Sequence, residues 1–214
     1  MAVEAKVCGL TRPEDVRAAA DAGATYLGIV LAASPREVTP AHAADLVRAA
    51  GTTPVFAVFG AATAQDILSL RDRVQFGGAQ LHGPHAAEDA ALLRREGLVV
   101  WRVLRLAGRA DLDRLVSMGE SADAVLVEPW VPGAGGGTGT ALAIELAQEA
   151  RERLKGRRMV LAGGLVPETV ARTVALVRPD VVDVSSGVEI RPGVKHAARI
   201  SRFMEALLEH SAAR

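Results

Sequence analysis

The chain predicts a single-domain (β/α)8 barrel spanning residues 1–214, and three observations carry that prediction. Short apolar runs alternate with helix-patterned segments from end to end, eight pairs in all, the rhythm of parallel strands joined by crossover helices. The 214 residues suffice for eight such units without an inserted domain, and half of them are apolar, enough for one substantial core. The rival architecture, an open doubly wound sheet, usually carries a glycine fingerprint in its first strand-to-helix turn, and Gly9-Leu10-Thr11-Arg12 does not supply one.

Each element has its own signal. The first strand, 3–8, ends on the only thiol of the chain, and the helix over 13–22 starts on a proline after Thr11 or Arg12. Strands over 26–30 and 55–59 are continuous apolar runs, as expected when both faces are buried, and the helix between them, 40–50, is announced by Thr39 before Pro40. Further strands fall at 78–81, 99–104, 124–127, 159–162 and 181–184. Helices at 63–73, 86–96, 110–118, 141–154, 168–177 and 195–209 complete the pairs, with Pro167-Glu168 opening the seventh. The one glycine-rich stretch, from Pro132 to Gly139, follows the sixth strand. It fits neither dinucleotide nor P-loop spacing and reads as a mobile loop over the barrel mouth.

Composition narrows the function. With 25 basic and 25 acidic residues the net charge is zero, so no bulk attraction to nucleic acid or to an anionic membrane is expected. No charged-then-apolar leader and no apolar run of membrane-spanning length are visible, which points to a cytoplasmic protein. A single Cys permits no internal disulfide.

In such a barrel the chemistry gathers where strands end. Lys6 and Cys8 share one face of the first strand, and an ammonium beside a thiol favours the thiolate, one way to make a proton-abstracting base. The other strand ends present Ser34-Pro35-Arg36, Gln80-Leu81-His82-Gly83, Arg102 to Arg105, Glu128, Gly163-Gly164 and Ser185-Ser186-Gly187. Small residues after strands seven and eight free backbone N–H groups to point at one anion, with the dipole of a following helix adding to the field; such loops commonly hold a phosphate. The five histidines do not suggest a metal centre, because a His82–His85 pair lacks further ligands.

Taken in chain order, Lys6-Val7-Cys8-Gly9-Leu10-Thr11, Ser34-Pro35-Arg36, Gln80-Leu81-His82-Gly83, Gly136-Gly137-Thr138-Gly139, Leu161-Ala162-Gly163-Gly164-Leu165 and Asp183-Val184-Ser185-Ser186-Gly187-Val188-Glu189 resemble the phosphoribosylanthranilate isomerase family. The resemblance spans nearly the whole chain. It implies an Amadori rearrangement of N-(5-phosphoribosyl)anthranilate in tryptophan biosynthesis, performed by acid–base chemistry with neither cofactor nor metal. By resemblance Cys8 is the base, Glu128 stands at the position of the acid, and Arg36 engages the anthranilate carboxylate. Gly163, Gly164, Ser185, Ser186 and Gly187 would hold the sugar phosphate, and Lys6, Gln80, His82 and Asp183 complete the expected substrate-binding set. For Lys6 and Asp183, on neighbouring strands of a closed barrel, a buried ion pair is the simplest arrangement. The expected partner is a small phosphorylated molecule, and the expected assembly a monomer or homodimer.

Several positions depart from the family pattern. Glu128 stands where Asp is usual, Gly60-Ala61 where an Asn or Asp ends the third strand, Pro84-His85 where an acidic pair follows Gly83, and His196 where an Asp follows the last Lys. The Phe-Asp-Trp that follows the glycine loop is replaced around Ala141-Leu142-Ala143. These departures keep a second reading open: the same aminoaldose-to-aminoketose isomerisation on another glycosylamine phosphate. A binding module that keeps the phosphate cradle without catalysis is disfavoured by the intact Cys8 and by the carboxyl at 128.

Overall fold

The computed structural model describes residues 3–133 and 139–212. Eight parallel strands close into a barrel: β1 (Glu4–Val7), β2 (Tyr26–Val30), β3 (Val55–Phe59), β4 (Gly78–Leu81), β5 (Val99–Leu106), β6 (Ala124–Pro129), β7 (Met159–Ala162) and β8 (Val181–Val184). Sequential neighbours pair throughout, and β1 closes on β8 with Lys6 opposite Asp183. The outer layer is α1 (Pro13–Asp21), α2 (Pro40–Ala49), α3 (Ala64–Val74), α4 (Ala87–Arg95), α5 (Leu115–Glu120), α6 (Ile144–Arg153), α7 (Val170–Val177) and α8 (Ala197–Ala212). The predicted fold class and every predicted strand–helix pair are therefore present.

Local signals act as the sequence suggests at α2, whereas Pro167-Glu168 forms a turn and α7 opens later, at Val170. Thr39 caps α2 by accepting from the His42 amide, and Thr63 with Asp66 forms a reciprocal capping box on α3. Pro13 opens α1, but Arg12 at the cap makes no side-chain bond to the helix backbone. Helix five departs from expectation, since a 3-10 segment, Arg109–Arg114, precedes a short α5. Two strands run longer than predicted: β5 reaches Leu106 and β6 reaches Pro129, which sets Arg105 directly opposite Glu128. An unpredicted hairpin, β9 (Glu189–Arg191) with β10 (Val194–Lys195), stands between β8 and α8. It takes Lys195 out of the predicted last helix.

Alternation along each strand divides the side chains between two cores. Outward residues such as Val7, Leu27, Ala57, Leu81 and Val182 pack against the helices. Inside, Tyr26, Phe56 and Trp101 form an aromatic plug, with ring centroids 5.4 Å apart for Tyr26–Phe56, 5.2 Å for Tyr26–Trp101 and 4.1 Å for Phe56–Trp101. Phe56 fits because its register partner is Gly78; a Cβ there would stand 2.5 Å from the ring. Above the plug the inward positions turn polar, and the site begins there. No helix among the described residues is long and apolar enough to cross a membrane.

Candidate active site

The strand ends surround a cavity of about 460 Å³. Cys8, Arg36, Gln80, His82, Glu128 and Asp183 line it, together with both expected phosphate loops, Gly163-Gly164 and Ser185-Ser186-Gly187. Eleven of the twelve candidate residues thus converge; the exception is Lys6, which is fully buried and outside the cavity wall. Its ammonium donates to Asp183 Oδ1 at 2.9 Å and to Gln80 Oε1 at 2.8 Å. The expected ion pair forms, and Lys6 supports the site from beneath. Burial pulls the Lys6 ammonium down, but Asp183 and Cys8 outweigh it and the net direction is up, so Lys6 stays charged.

That charge does not make Cys8 a ready thiolate. Burial pushes the thiol up, Lys6 pulls it down, Asp183 pushes it up again, and the net shift is upward. The expectation of a lowered thiol is corrected: in the free protein Cys8 rests as S–H. Its seat depends on Gly28 of β2, where a Cβ would lie 2.6 Å from Cys8 Sγ and 2.9 Å from Lys6 Cε. An ammonium stem and a thiol share one barrel layer only because that position has no side chain.

Opposite Cys8, the Glu128 carboxylate lies in a polar cluster. Its Oε1 is 2.6 Å from His82 Nε2 and 3.4 Å from Arg105 Nε. Arg105 Nη2 donates to His82 Nδ1 at 2.9 Å. Sequence reasoning flagged the strand-five arginines together, and the pleat separates them: Arg102 leaves the barrel to meet the His85 carbonyl and Ser121 Oγ, whereas Arg105 points in. His85, buried but outside the cavity lining, leaves its Nε2 without a partner.

Arg36 is not a solvated loop residue. Its stem crosses Gly9, where the backbone is left-handed at φ +72° and a Cβ would meet Arg36 Cδ at 2.4 Å. Its guanidinium binds Glu189 in two-point fashion, Nε to Oε1 and Nη2 to Oε2, both at 2.8 Å. Lys195 Nζ also donates to Glu189 Oε1 at 2.8 Å and reaches the Ser185 carbonyl at 3.2 Å. Burial raises the Glu189 carboxyl, but Arg36 and Lys195 overcome this and hold it below the ordinary range. Sequence reasoning missed Glu189 and Lys195 as site residues. Glu189 closes a matched motif, and Lys195 is one of three lysines in an arginine-rich chain, so both carried a signal.

The phosphate loops are tightly fitted. Gly163 and Gly164 adopt φ of +98° and +62°, and a Cβ on Gly187 would stand 1.9 Å from the Leu165 carbonyl oxygen, which locks one loop onto the other. The helix-dipole contribution is smaller than expected: only a 3-10 turn, Ser186–Val188, follows β8, and α7 starts at Val170, well past Gly164. Of the glycine loop, Gly136, Gly137 and Thr138 lie outside the described residues, while Gly139 lines the cavity.

A closed barrel whose mouth gathers a thiol, a carboxyl and two glycine-turn loops defines a (β/α)8-barrel protein equipped for acid–base chemistry. Residues 5–206 match the family model described as N-(5'phosphoribosyl)anthranilate (PRA) isomerase. An N-(5'-phosphoribosyl)anthranilate isomerase of Pseudomonas aeruginosa is 38% identical over 211 residues, covering 96% of this chain and 95% of its own. Among solved structures, phosphoribosyl anthranilate isomerase from Thermus thermophilus superposes with a TM-score of 0.86 at 33% identity, covering 99% of this chain and all of its own. Another phosphoribosyl anthranilate isomerase, in complex with reduced 1-(o-carboxyphenylamino)-1-deoxyribulose 5-phosphate, gives a TM-score of 0.85 at 28% identity, over 97% of this chain and 99% of its own. The chain belongs to the N-(5'-phosphoribosyl)anthranilate isomerase family.

Proposed function

We propose that the chain converts N-(5-phosphoribosyl)anthranilate into 1-(2-carboxyphenylamino)-1-deoxyribulose 5-phosphate, an Amadori rearrangement of tryptophan biosynthesis, with Glu128 as general acid and Cys8 as general base. The observation that supports this most directly is that the only thiol of the chain and the buried Glu128 carboxyl line one cavity at the C-terminal mouth of the barrel. Glu128 protonates the furanose ring oxygen, the C1–O bond breaks with its electrons going to oxygen, and the nitrogen lone pair closes an iminium. The Cys8 thiolate then removes the C2 proton. The electrons of that C–H bond form the C1=C2 bond, the nitrogen is neutralised, and the enol relaxes to the ketone. No redox partner is needed for this balance.

The working form pairs a thiolate with a carboxylic acid, and it holds as many protons as a thiol with a carboxylate. One proton has only to be relocated, and the cationic iminium beside the sulfur favours the thiolate at the moment it is used. Arg36 supports selection of the substrate carboxylate: its guanidinium lines the cavity and is held in place by the two-point bond to Glu189. The loops at Gly163-Gly164 and Ser185–Gly187 would take the phosphate, and Gln80, His82 and Asp183 fill the wall between. The working unit is a monomer or homodimer acting on this small phosphorylated substrate.

The test is turnover of phosphoribosylanthranilate beside binding of a reduced product analogue. Cys8→Ala is expected to lose turnover while keeping analogue affinity within roughly a few-fold, because the thiolate acts in the transition state and adds little to ground-state binding. Glu128→Gln keeps size and hydrogen bonding but has no acidic proton, and it is expected to be inactive as well. Substantial turnover by either variant would overturn the corresponding role, and failure of the wild-type gene to rescue a tryptophan auxotroph would overturn the substrate.

A further inference from the structure

We propose that Arg105 is a positioning residue: through His82 it dictates which oxygen of Glu128 carries the transferable proton. This rests on the reading of Glu128 as the acid. The three side chains come from consecutive staves of the barrel, His82 just past β4, Arg105 on β5 and Glu128 opposite it on β6. Their contacts form a chain whose direction has one solution. A guanidinium has only donors, so in the 2.9 Å bond between Arg105 Nη2 and His82 Nδ1 the ring nitrogen must accept. A neutral imidazole that accepts at Nδ1 carries its proton at Nε2. An imidazolium would set a second N–H against the guanidinium, so the 2.9 Å contact selects the neutral ring. The 2.6 Å contact from His82 Nε2 to Glu128 Oε1 is then N–H to oxygen, and Oε1 is the acceptor. The acidic proton of Glu128 therefore sits on Oε2.

The opposite tautomer would defeat the acid. With its proton on Nδ1, His82 would present a bare Nε2 to Glu128, and the carboxylic proton would be held between Oε1 and the ring at 2.6 Å rather than offered to substrate. Arg105 removes that state by occupying Nδ1. It helps again after transfer, when Oε2–H has given its proton to the ring oxygen and the carboxylate remains with the His82 N–H at 2.6 Å and Arg105 Nε at 3.4 Å from Oε1. The His82 and Glu128 side chains are about nine-tenths buried, at 11% and 10% exposure, so competing water is largely excluded from their bond.

The experiment combines kinetics with the tautomer itself. In protein labelled with nitrogen-15 histidine, His82 of the wild type is expected to show the neutral Nε2–H pattern near pH 7, and Arg105→Met is expected to admit the Nδ1–H form. Arg105→Met should lower kcat by about tenfold or more, the scale on which a misdirected acid acts, with KM changed less than about twofold. In a His82→Gln background, which has no tautomer to fix, the same substitution should cost less than about twofold. A wild-type imidazolium or Nδ1–H form, an unchanged kcat, a loss carried by KM, or full multiplicative losses in the double variant would each overturn the proposal. Thermal unfolding of each variant confirms that the losses come from folded protein. Turnover by Glu128→Gln would sink the acid assignment itself, whereas an inactive Glu128→Gln beside an unaffected Arg105→Met would sink the positioning role alone.

Discussion

A thiol that removes a proton must first lose its own, and Cys8 stands where ionisation is resisted. That Lys6 and Cys8 share a face follows from strand alternation and was legible in six consecutive residues. The sign of the net effect on the thiol was not. It depends on burial, and on Asp183, 177 residues further along the chain, whose carboxylate offsets the Lys6 ammonium at 2.9 Å. Local spacing places a charge; only the closed barrel places its counter-charge. The titration of the free enzyme should report this balance. With its pKa raised, Cys8 binds its proton to higher pH than an ordinary thiol, so alkylation by iodoacetamide should reach half its limiting rate above the ordinary value of 9.0. Cys8→Ala, the only cysteine removed, supplies the blank. A midpoint at or below neutral would show that Lys6 dominates, and the relocation of a proton between thiol and carboxyl would then be unnecessary.

At the scale of elements, the strands were legible because both faces are apolar, and the hairpin was not because it is too short to show a period. Glu189–Arg191 is three residues, Val194–Lys195 two, and Ile190 at the centre of the first is 66% exposed, so no alternation marks the pair. Yet this hairpin delivers Glu189 and Lys195 to Arg36. It is anchored from outside as well, where the Lys195 amide donates to Asp15 of α1 at 3.0 Å. Two elements thus set the Arg36 guanidinium, its own loop and the hairpin. Glu189→Gln leaves two buried cations with a neutral partner and should lower stability by about 3–5 kcal/mol, the range for breaking a buried pair from one side. The pH dependence has a definite sign. A folded-state carboxyl held below its ordinary 4.5 contributes stability that is complete above that value and lost as pH falls through the folded value. The wild type should therefore lose stability over that acid range more steeply than Glu189→Gln, as read by urea denaturation from pH 7 downward; parallel curves would mean that Glu189 is not the titrating group. Arg36→Met, in contrast, should act on substrate, raising KM much more for phosphoribosylanthranilate than for an analogue lacking the carboxylate, and equal losses would assign Arg36 to the loop alone.

The whole molecule divides along the barrel axis. Closure of eight strands was readable from the count and spacing of apolar runs, since eight short strands with crossover helices in this length leave little other way to bury both faces of the sheet. The contents of the barrel were less readable, because Tyr26, Phe56 and Trp101 are scattered along 76 positions and meet only when the sheet closes, with Gly78 leaving the space that Phe56 fills. The plug borders the chemistry at Lys6, whose Nζ lies 5.7 Å from the Trp101 ring, and at Gln80, the register partner of Trp101, while Phe56 is absent from the cavity wall. Stability and catalysis should therefore separate at Phe56. Phe56→Ala removes a ring that is 1% exposed and should cost about 3–5 kcal/mol, through lost burial and the cavity left behind. At a temperature where the variant is still folded, its kcat and KM should stay within about threefold of wild type, because none of the charged groups at the mouth bonds to that ring. Chemical denaturation measures the first quantity and steady-state kinetics the second. A kcat that fell tenfold in folded protein would mean that the aromatic plug sets the height of Lys6, and hence of Cys8, in the barrel, so that the two ends of the axis act as one unit.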